Sequence, residues 1–249
     1  MGSLIFQNKA CLVINKLPGE SSENFRLEGE GELFPVHRLD TPVSGCLLLA
    51  RNKKAAAFLG AAFAKPPAGF RTRTRERGSG ERLVEKCYWA IVEKPAHAIR
   101  PEGEVIHWLG TNKKINKSFV FNWSETPPCL KGQGSLTPLK KAVLRYRIAG
   151  EGDHYIFMEI ELVTGRHHQI RAQLSALGLH IKGDLKYGAR RSEKDGGIRL
   201  HAYFLAFPNP LEPGEIIQVK ALPPLNSLQR PDPLWTAFTE VLPGKTEND

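Results

Sequence analysis

The sequence predicts an α+β fold in one mixed body. Strand-like apolar runs and helix-period segments are interleaved along the whole chain instead of segregating into halves. No internal repeat breaks the pattern. The 249 residues are enough to bury a core without metal or disulfide staples, so 1–249 reads as a single domain.

Each element has a local reason. "CLVIN" (Cys11 to Asn15) is a buried-strand run closed by the Pro-Gly turn in "NKLPGE". "SGCLLLARN" is a second buried strand. "NKKAAAFLGAAFA" (Asn52 to Ala64) is rich in helix formers, with Asn52 as its N-cap, and "KPPAG" ends it. Residues 65–84 change character: "KPPAGFRTRTRERGSGER" carries Pro, Gly and Arg without a periodic apolar face, which predicts an exposed basic loop. "EKCYWAIVE" alternates apolar residues on both faces, as a strand covered on both sides does. Further strands are predicted at "EVIHWLG", "KSFVFNW", "KKAVLRYRIAG" and "HYIFMEIELV", with "SETPPCLKGQGSLTP" as a loop. "TGRHHQIRAQLSALG" reads as a helix with Thr164 as N-cap, Ile170, Leu174 and Leu177 on one face, and Gly178 as C-terminal cap. The strands "IRLHAYFLAFP" and "EIIQVKAL" follow, and 244–249 reads as a frayed tail.

Charge and composition narrow the partner. The 35 basic against 26 acidic residues leave a formal charge of +9, which favours an anionic partner, nucleic acid ahead of acidic small molecules or membrane. Cys11, Cys46, Cys87 and Cys129 are scattered, with no pair at zinc or redox spacing, and three lie in apolar runs. They read as small buried hydrophobes of a reducing compartment. With neither a membrane-length apolar window nor a secretory signal, the expected location is the cytoplasm.

Polar residues in unexpected places are the candidates for chemistry. In "FPVHRLDTPVSGCLLLARN", His37, Arg38 and Asp40 stand at the mouth of a buried strand. Alone, Asp40 reads as a turn or capping residue. A cation beside it would hold the carboxylate ionised, which suits a nucleophile or an electrostatic stabiliser. Arg171, between Ile170 and Ala172, is either a solvated helix charge or, carried beneath the Asp40 loop, half of a charge-assisted pair. Tyr88 is either core or a cleft aromatic able to stack on a base or move a proton. His167, His168 and His180 raise the question of a metal, but adjacent histidines on a helix point to different faces, which speaks against one. Arg71, Arg73, Arg75 and Arg77 would line one edge of an extended chain and suit phosphates.

Assembled in order, these stretches resemble a family. "HRLDTPVSGCLLLAR", "EKCYWAIVE", "LVTGRHHQIRAQLSALGLHIKGDLKYGA" and "RLHAYFLAFPNP" follow the succession found in RluA-type pseudouridine synthases, and "LVINKLPG" is similar to their opening segment. The resemblance runs from about Leu4 to Leu222. It implies a mixed, mostly antiparallel central sheet flanked by helices and loops, with a catalytic cleft across it. It implies isomerisation of uridine in RNA to pseudouridine without metal or cofactor; ribosomal or transfer RNA is the expected substrate and a monomer the expected state. Carried onto this chain, the essential aspartate is Asp40, the basic residue paired with it Arg171, and the cleft aromatic Tyr88. Arg38 would occupy the space left by the extruded base, His37 would position the loop, and Arg166, His168 and Gln169 would lie on the substrate side. Extrusion costs a few kcal/mol, which a basic surface and an inserted arginine offset.

The chain departs from the family pattern at His167 and Gln173, so contacts behind the site are expected to differ. It also starts close to the catalytic body, without an S4-type RNA-binding domain, so RNA affinity is expected from the body and from the 65–84 loop. The competing readings are a non-catalytic RNA-binding or ribosome-assembly protein on the same fold, and a hydrolase built on His37, Asp40 and the histidines near Arg166.

Overall fold

A computed structural model of the chain describes residues 2–23, 25–64, 84–124, 135–225 and 230–242. Its elements in chain order begin with β1 (Ser3–Gln7), β2 (Cys11–Lys16), β3 (Phe34–Pro35), β4 (Ser44–Ala50), α1 (Lys53–Ala64), β5 (Glu85–Glu93), β6 (Glu102–Asn112) and β7 (Lys117–Asn122). Then come β8 (Lys140–Glu151), β9 (Tyr155–Leu162), α2 (Gln169–Ala176), a 3-10 turn at Leu185–Tyr187, β10 (Leu200–Pro208), β11 (Ile216–Lys220) and α3 (Pro233–Val241). This is the mixed, mostly antiparallel α+β architecture the sequence predicts. The chain divides into two compact units, one of Met1–Cys87 and His201–Leu228, the other of Tyr88–Leu200 and Gln229–Asp249.

In the first unit the strand order is β1-β2-β4-β10, with β11 on β10 and β3 on the far end of β4. β4 is the spine: all seven of its residues are buried, as a run without polar alternation requires. β2 pairs with it antiparallel from Cys11↔Ala50 to Lys16↔Gly45. β10 joins it in parallel at Ser44 and Gly45. That junction needs glycine, because Gly45 has φ +115° and a Cβ there would sit 2.4 Å from the Ala202 carbonyl oxygen. The core on one side combines Cys11, Val13, Cys46, Leu48, Leu59 of α1, Leu205 and Phe207. Burial pushes the Cys11 thiol up to about 11 and the Cys46 thiol up to about 12, so both behave as inert apolar groups, as their settings suggested. Asn52 caps α1 as expected, its Oδ1 accepting from the Ala55 N–H at 2.9 Å.

In the second unit the order is β5-β9-β8-β6-β7. α2 covers one face near β6 and β8, where Ala172 packs with Leu109, Ala142 and Tyr187. α3 seals another region through Trp235 and Phe238, the latter meeting Trp89 edge-on at 4.9 Å. Residues 65–83, with Arg71, Arg73, Arg75 and Arg77, lie outside the described residues, as do Cys129, most of the 124–138 loop and the 244–249 tail.

The sequence reading and the structure part at four elements. The helix expected from Thr164 starts at Gln169, because the Thr164 N–H is still held by the Val143 carbonyl at 3.1 Å and the chain turns through His168 at φ 50°. β1, the two-residue β3 and α3 were not expected. α3 carries a plain start signal, Asp232 accepting from the Leu234 and Trp235 N–H groups with Pro233 at the first helical position.

Candidate active site

In the first unit, Asp40 sits between β3 and β4 on a loop held by several fasteners. Its own carbonyl accepts from the Val43 N–H at 2.9 Å, closing a turn. Ser22 grips the adjacent residue on both sides, accepting from the Leu39 N–H at 3.1 Å and donating to the Leu39 carbonyl at 2.9 Å. His37 pins the loop start, its Nε2 accepting from the Leu48 N–H at 3.1 Å while the ring stacks on Phe63 at 5.0 Å. Burial, and then the Lys86 charge, push the His37 imidazole down to about 3, so it is neutral and its Nε2 stays an acceptor.

The strongest fastener is one the sequence reading missed. Lys16, at the end of β2, is fully buried, and its ammonium donates to the carbonyls of Leu17 (2.9 Å), Glu20 (3.0 Å) and Thr41 (3.1 Å). Burial lowers its pKa to about 8, with Glu20 and Asp40 pulling the other way in favour of the charged form. Lys16 thus ties the opening turn to the residue that follows Asp40. A lysine closing an apolar strand before Pro-Gly was the available signal. Arg38, by contrast, points outward, its side chain 62% exposed and paired with an equally exposed Glu23 at 2.5 Å.

In the second unit, Arg171 is buried at 6% exposure and makes a fork-to-fork pair with Asp184, Nε to Oδ2 at 2.7 Å and Nη2 to Oδ1 at 2.8 Å. The solvated-charge reading of Arg171 is therefore wrong. Its guanidinium also lies over the Tyr187 ring at 5.0 Å. Tyr187 is a hub: its hydroxyl accepts from the Ser118 N–H at 2.8 Å and meets His168 Nδ1 at 2.9 Å. His167 and His168 lie outside the helix with rings stacked 3.7 Å apart, not splayed to opposite faces as adjacent helical positions would be. Asp184, Tyr187 and Ser118 were not singled out from the sequence. "GDLKYG", polar and aromatic residues between two glycines of positive φ, is where Asp184 and Tyr187 could have been found.

The remaining candidates divide by exposure. Gln169, 3% exposed, spends its side chain on the bend before α2, accepting from the Thr164 hydroxyl (2.7 Å) and the Arg166 N–H (3.0 Å) and donating to the Val143 carbonyl (3.0 Å). Arg166 is exposed, its Nε donating to the Lys141 carbonyl at 3.1 Å. Tyr88 is 7% exposed on β5. Gln173 is fully buried and donates to the carbonyls of Val105 and Ala142. Among the described residues no three His, Cys, Asp or Glu side chains gather as a metal site requires, and no helix is long and apolar enough to cross a membrane.

Residues 7–176, which contain both the Asp40 loop and all of α2, match the family model described as RNA pseudouridylate synthase. The chain belongs to the RNA pseudouridylate synthase family. Among its relatives, an uncharacterised RNA pseudouridine synthase of Zymomonas mobilis is 31% identical over 83% of this chain and 75% of its own. The RNA pseudouridylate synthase domain-containing protein 1 of Mus musculus is 32% identical over 83% of this chain and 60% of its own. The chain thus spans about 60% of the length of the mammalian pseudouridylate synthase relatives it matches. The human RNA pseudouridylate synthase domain containing 1 and 4 structures share the fold, with TM-scores of 0.62 and 0.64 at 22% and 19% identity, covering 97% and 99% of this chain and 94% and 95% of theirs.

Proposed function

We propose that this chain isomerises uridine in RNA to pseudouridine, with ribosomal RNA favoured over transfer RNA as the substrate and Asp40 as the essential carboxylate. The observation that carries the reading is an intact His37-Arg38-Leu39-Asp40 loop, fastened by Lys16, Ser22 and His37, within the family match. Fixing a carboxylate's backbone in advance lowers the cost of holding it against a sugar-base link. The reaction conserves atoms: the C1′–N1 bond breaks, the uracil turns, C1′–C5 forms, C5 loses its proton and N1 gains one. No oxidant or reductant is required.

In this proposal Asp40 acts at the sugar-base link and Tyr88 stacks on the uracil and serves the closing proton transfer. Arg38 fills the gap left by the extruded base; its exposed pair with Glu23 is weak enough to exchange for RNA. Arg166 and the arginines at 71, 73, 75 and 77 meet phosphates. His37, His168 and Gln169, committed to protein partners, act on the substrate side by holding the segments that carry Arg38 and Arg166. Arg171 shapes the site through its pair with Asp184.

The test uses transcripts of large-subunit ribosomal RNA and of transfer RNA carrying tritium at uridine C5. Release from one class fixes the substrate class. Release from neither, with binding retained, replaces the enzyme by a non-catalytic RNA-binding protein.

A further inference from the structure

The β6–β7 hairpin of the second unit carries a surface that the roles above do not use. Register places Lys141 of β8 and Phe121 of β7 on either side of Trp108 of β6, so all three share a face of the sheet. The neighbours Leu109, Val120 and Ala142 point to the other face, packed by Ala172 and Tyr187. On the first face Trp108 and Trp123 stack with centroids 4.9 Å apart at 27°, and the Lys141 ammonium lies 4.4 Å over the Trp123 ring. Trp123 is 39% exposed. The indole of Trp108 donates to the Ser124 carbonyl at 3.1 Å, which fixes the orientation of the inner ring.

The hairpin itself, between Glu104 and Glu125, carries charge of one sign. From Val105 to Ser124 there are three lysines, Lys113, Lys114 and Lys117, and no aspartate or glutamate. Two of them, Lys113 and Lys114, are exposed in the turn that joins β6 to β7. A flat aromatic stack with a cation against it, and a basic turn roughly 16 Å further along the same hairpin at about 3.3 Å per residue, matches the two parts of a single-stranded nucleic acid, bases for the rings and phosphates for the lysines. An acidic peptide would use the lysines and leave the indoles without a planar partner.

We propose that Trp123, backed by Trp108 and Lys141, is a stacking platform for an unpaired base of the RNA, with Lys113 and Lys114, at the far end of the hairpin, taking phosphates further along the same strand. The inference rests on RNA being the substrate, and it adds to that reading a contact outside the catalytic residues. A surface that requires unstacked bases selects RNA with a single-stranded stretch over continuous duplex.

The test is titration of the full chain with a fluorescein-labelled 12-nucleotide oligouridylate, a duplex RNA of equal length and an oligoglutamate. Of the four tryptophans, Trp89 and Trp235 are core residues at 3% and 5% exposure, so quenching of indole emission reports on Trp108 and Trp123. The oligouridylate is expected to quench, and Trp123→Ala to weaken its binding roughly 5- to 150-fold, the range for one stacked base, while Trp123→Phe retains most of it. Lys113→Gln with Lys114→Gln is expected to flatten the salt slope by about 0.7 for each phosphate no longer neutralised. Unchanged wild-type emission at saturating oligouridylate overturns the proposal even if Trp123→Ala fails to fold. So does duplex or oligoglutamate quenching as strongly as the single strand. Tritium release from transcripts separates the two readings: release with no Trp123 effect removes the platform alone, and a Trp123 effect without release removes the enzyme alone.

Discussion

Single residues decide how firmly the site is held. Arg171 and Asp184 form a buried, bidentate ion pair, and removing one partner strands a charge away from water. Asp184→Asn or Arg171→Met is expected to cost about 3–5 kcal/mol in urea unfolding, and the double variant Arg171→Met/Asp184→Leu to recover much of that stability without recovering turnover. Equal stability of the single variants and wild type would contradict this account of the pair. His37 and His201 set an acid limit. His201 is fully buried, its Nε2 donating to the Ala221 carbonyl at 2.8 Å and its Nδ1 accepting from the Ser44 hydroxyl at 2.9 Å; burial lowers it to about 4. Both imidazoles titrate lower folded than unfolded, so below about pH 6.5 the unfolded chain binds protons that the folded chain refuses. Stability is expected to fall as pH drops from 7 toward 4, by up to about 1.4 kcal/mol per pH unit for each imidazole. A urea midpoint unchanged between pH 7 and pH 5 would contradict it.

At the scale of elements, the junction of β4 and β10 is the tightest point near the Asp40 loop. Gly45→Ala places a methyl against the Ala202 backbone at a φ of +115°, with no flexible side chain to give way. The strained backbone alone costs on the order of 1–3 kcal/mol. Gly45→Ala is therefore expected to lower the melting temperature and the soluble yield, whereas Gly60→Ala, inside α1 with open space at its Cβ, is expected to raise the melting temperature slightly. A Gly45→Ala protein as stable as wild type would show that β4 and β10 approach less closely. The same elements show what was legible in the residues. β4 and β5 announce themselves because short continuous apolar runs, 46–50 and 87–92, bounded by polar or turn residues have few alternatives to a buried strand. The α2 start was misread because Thr164 has the right side chain for a cap, yet its backbone is claimed by β8, a contact 21 positions away. The α3 start was missed although Asp232-Pro233 signals it locally.

For the whole molecule, the candidate residues written as contiguous sequence could be picked out together, and the contacts assembled by tertiary structure could not. His37, Arg38 and Asp40 stand together in the chain; Lys16 reaches Thr41 across 25 positions, and Tyr187 reaches Ser118 across 69. Such pairs leave no local period, so only the oddity of a buried lysine or a Gly-bounded "DLKY" hints at them. The formal charge of +9 was the other global signal, and it agrees with a polyanionic substrate without specifying one. The account rests on Asp40, and one measurement bears on it most directly: tritium release from C5-labelled ribosomal and transfer RNA transcripts by wild type and by Asp40→Asn, both confirmed folded by thermal melting. Wild type is expected to release tritium and Asp40→Asn to release none while binding the same transcripts. Release by Asp40→Asn at the wild-type rate would contradict the account.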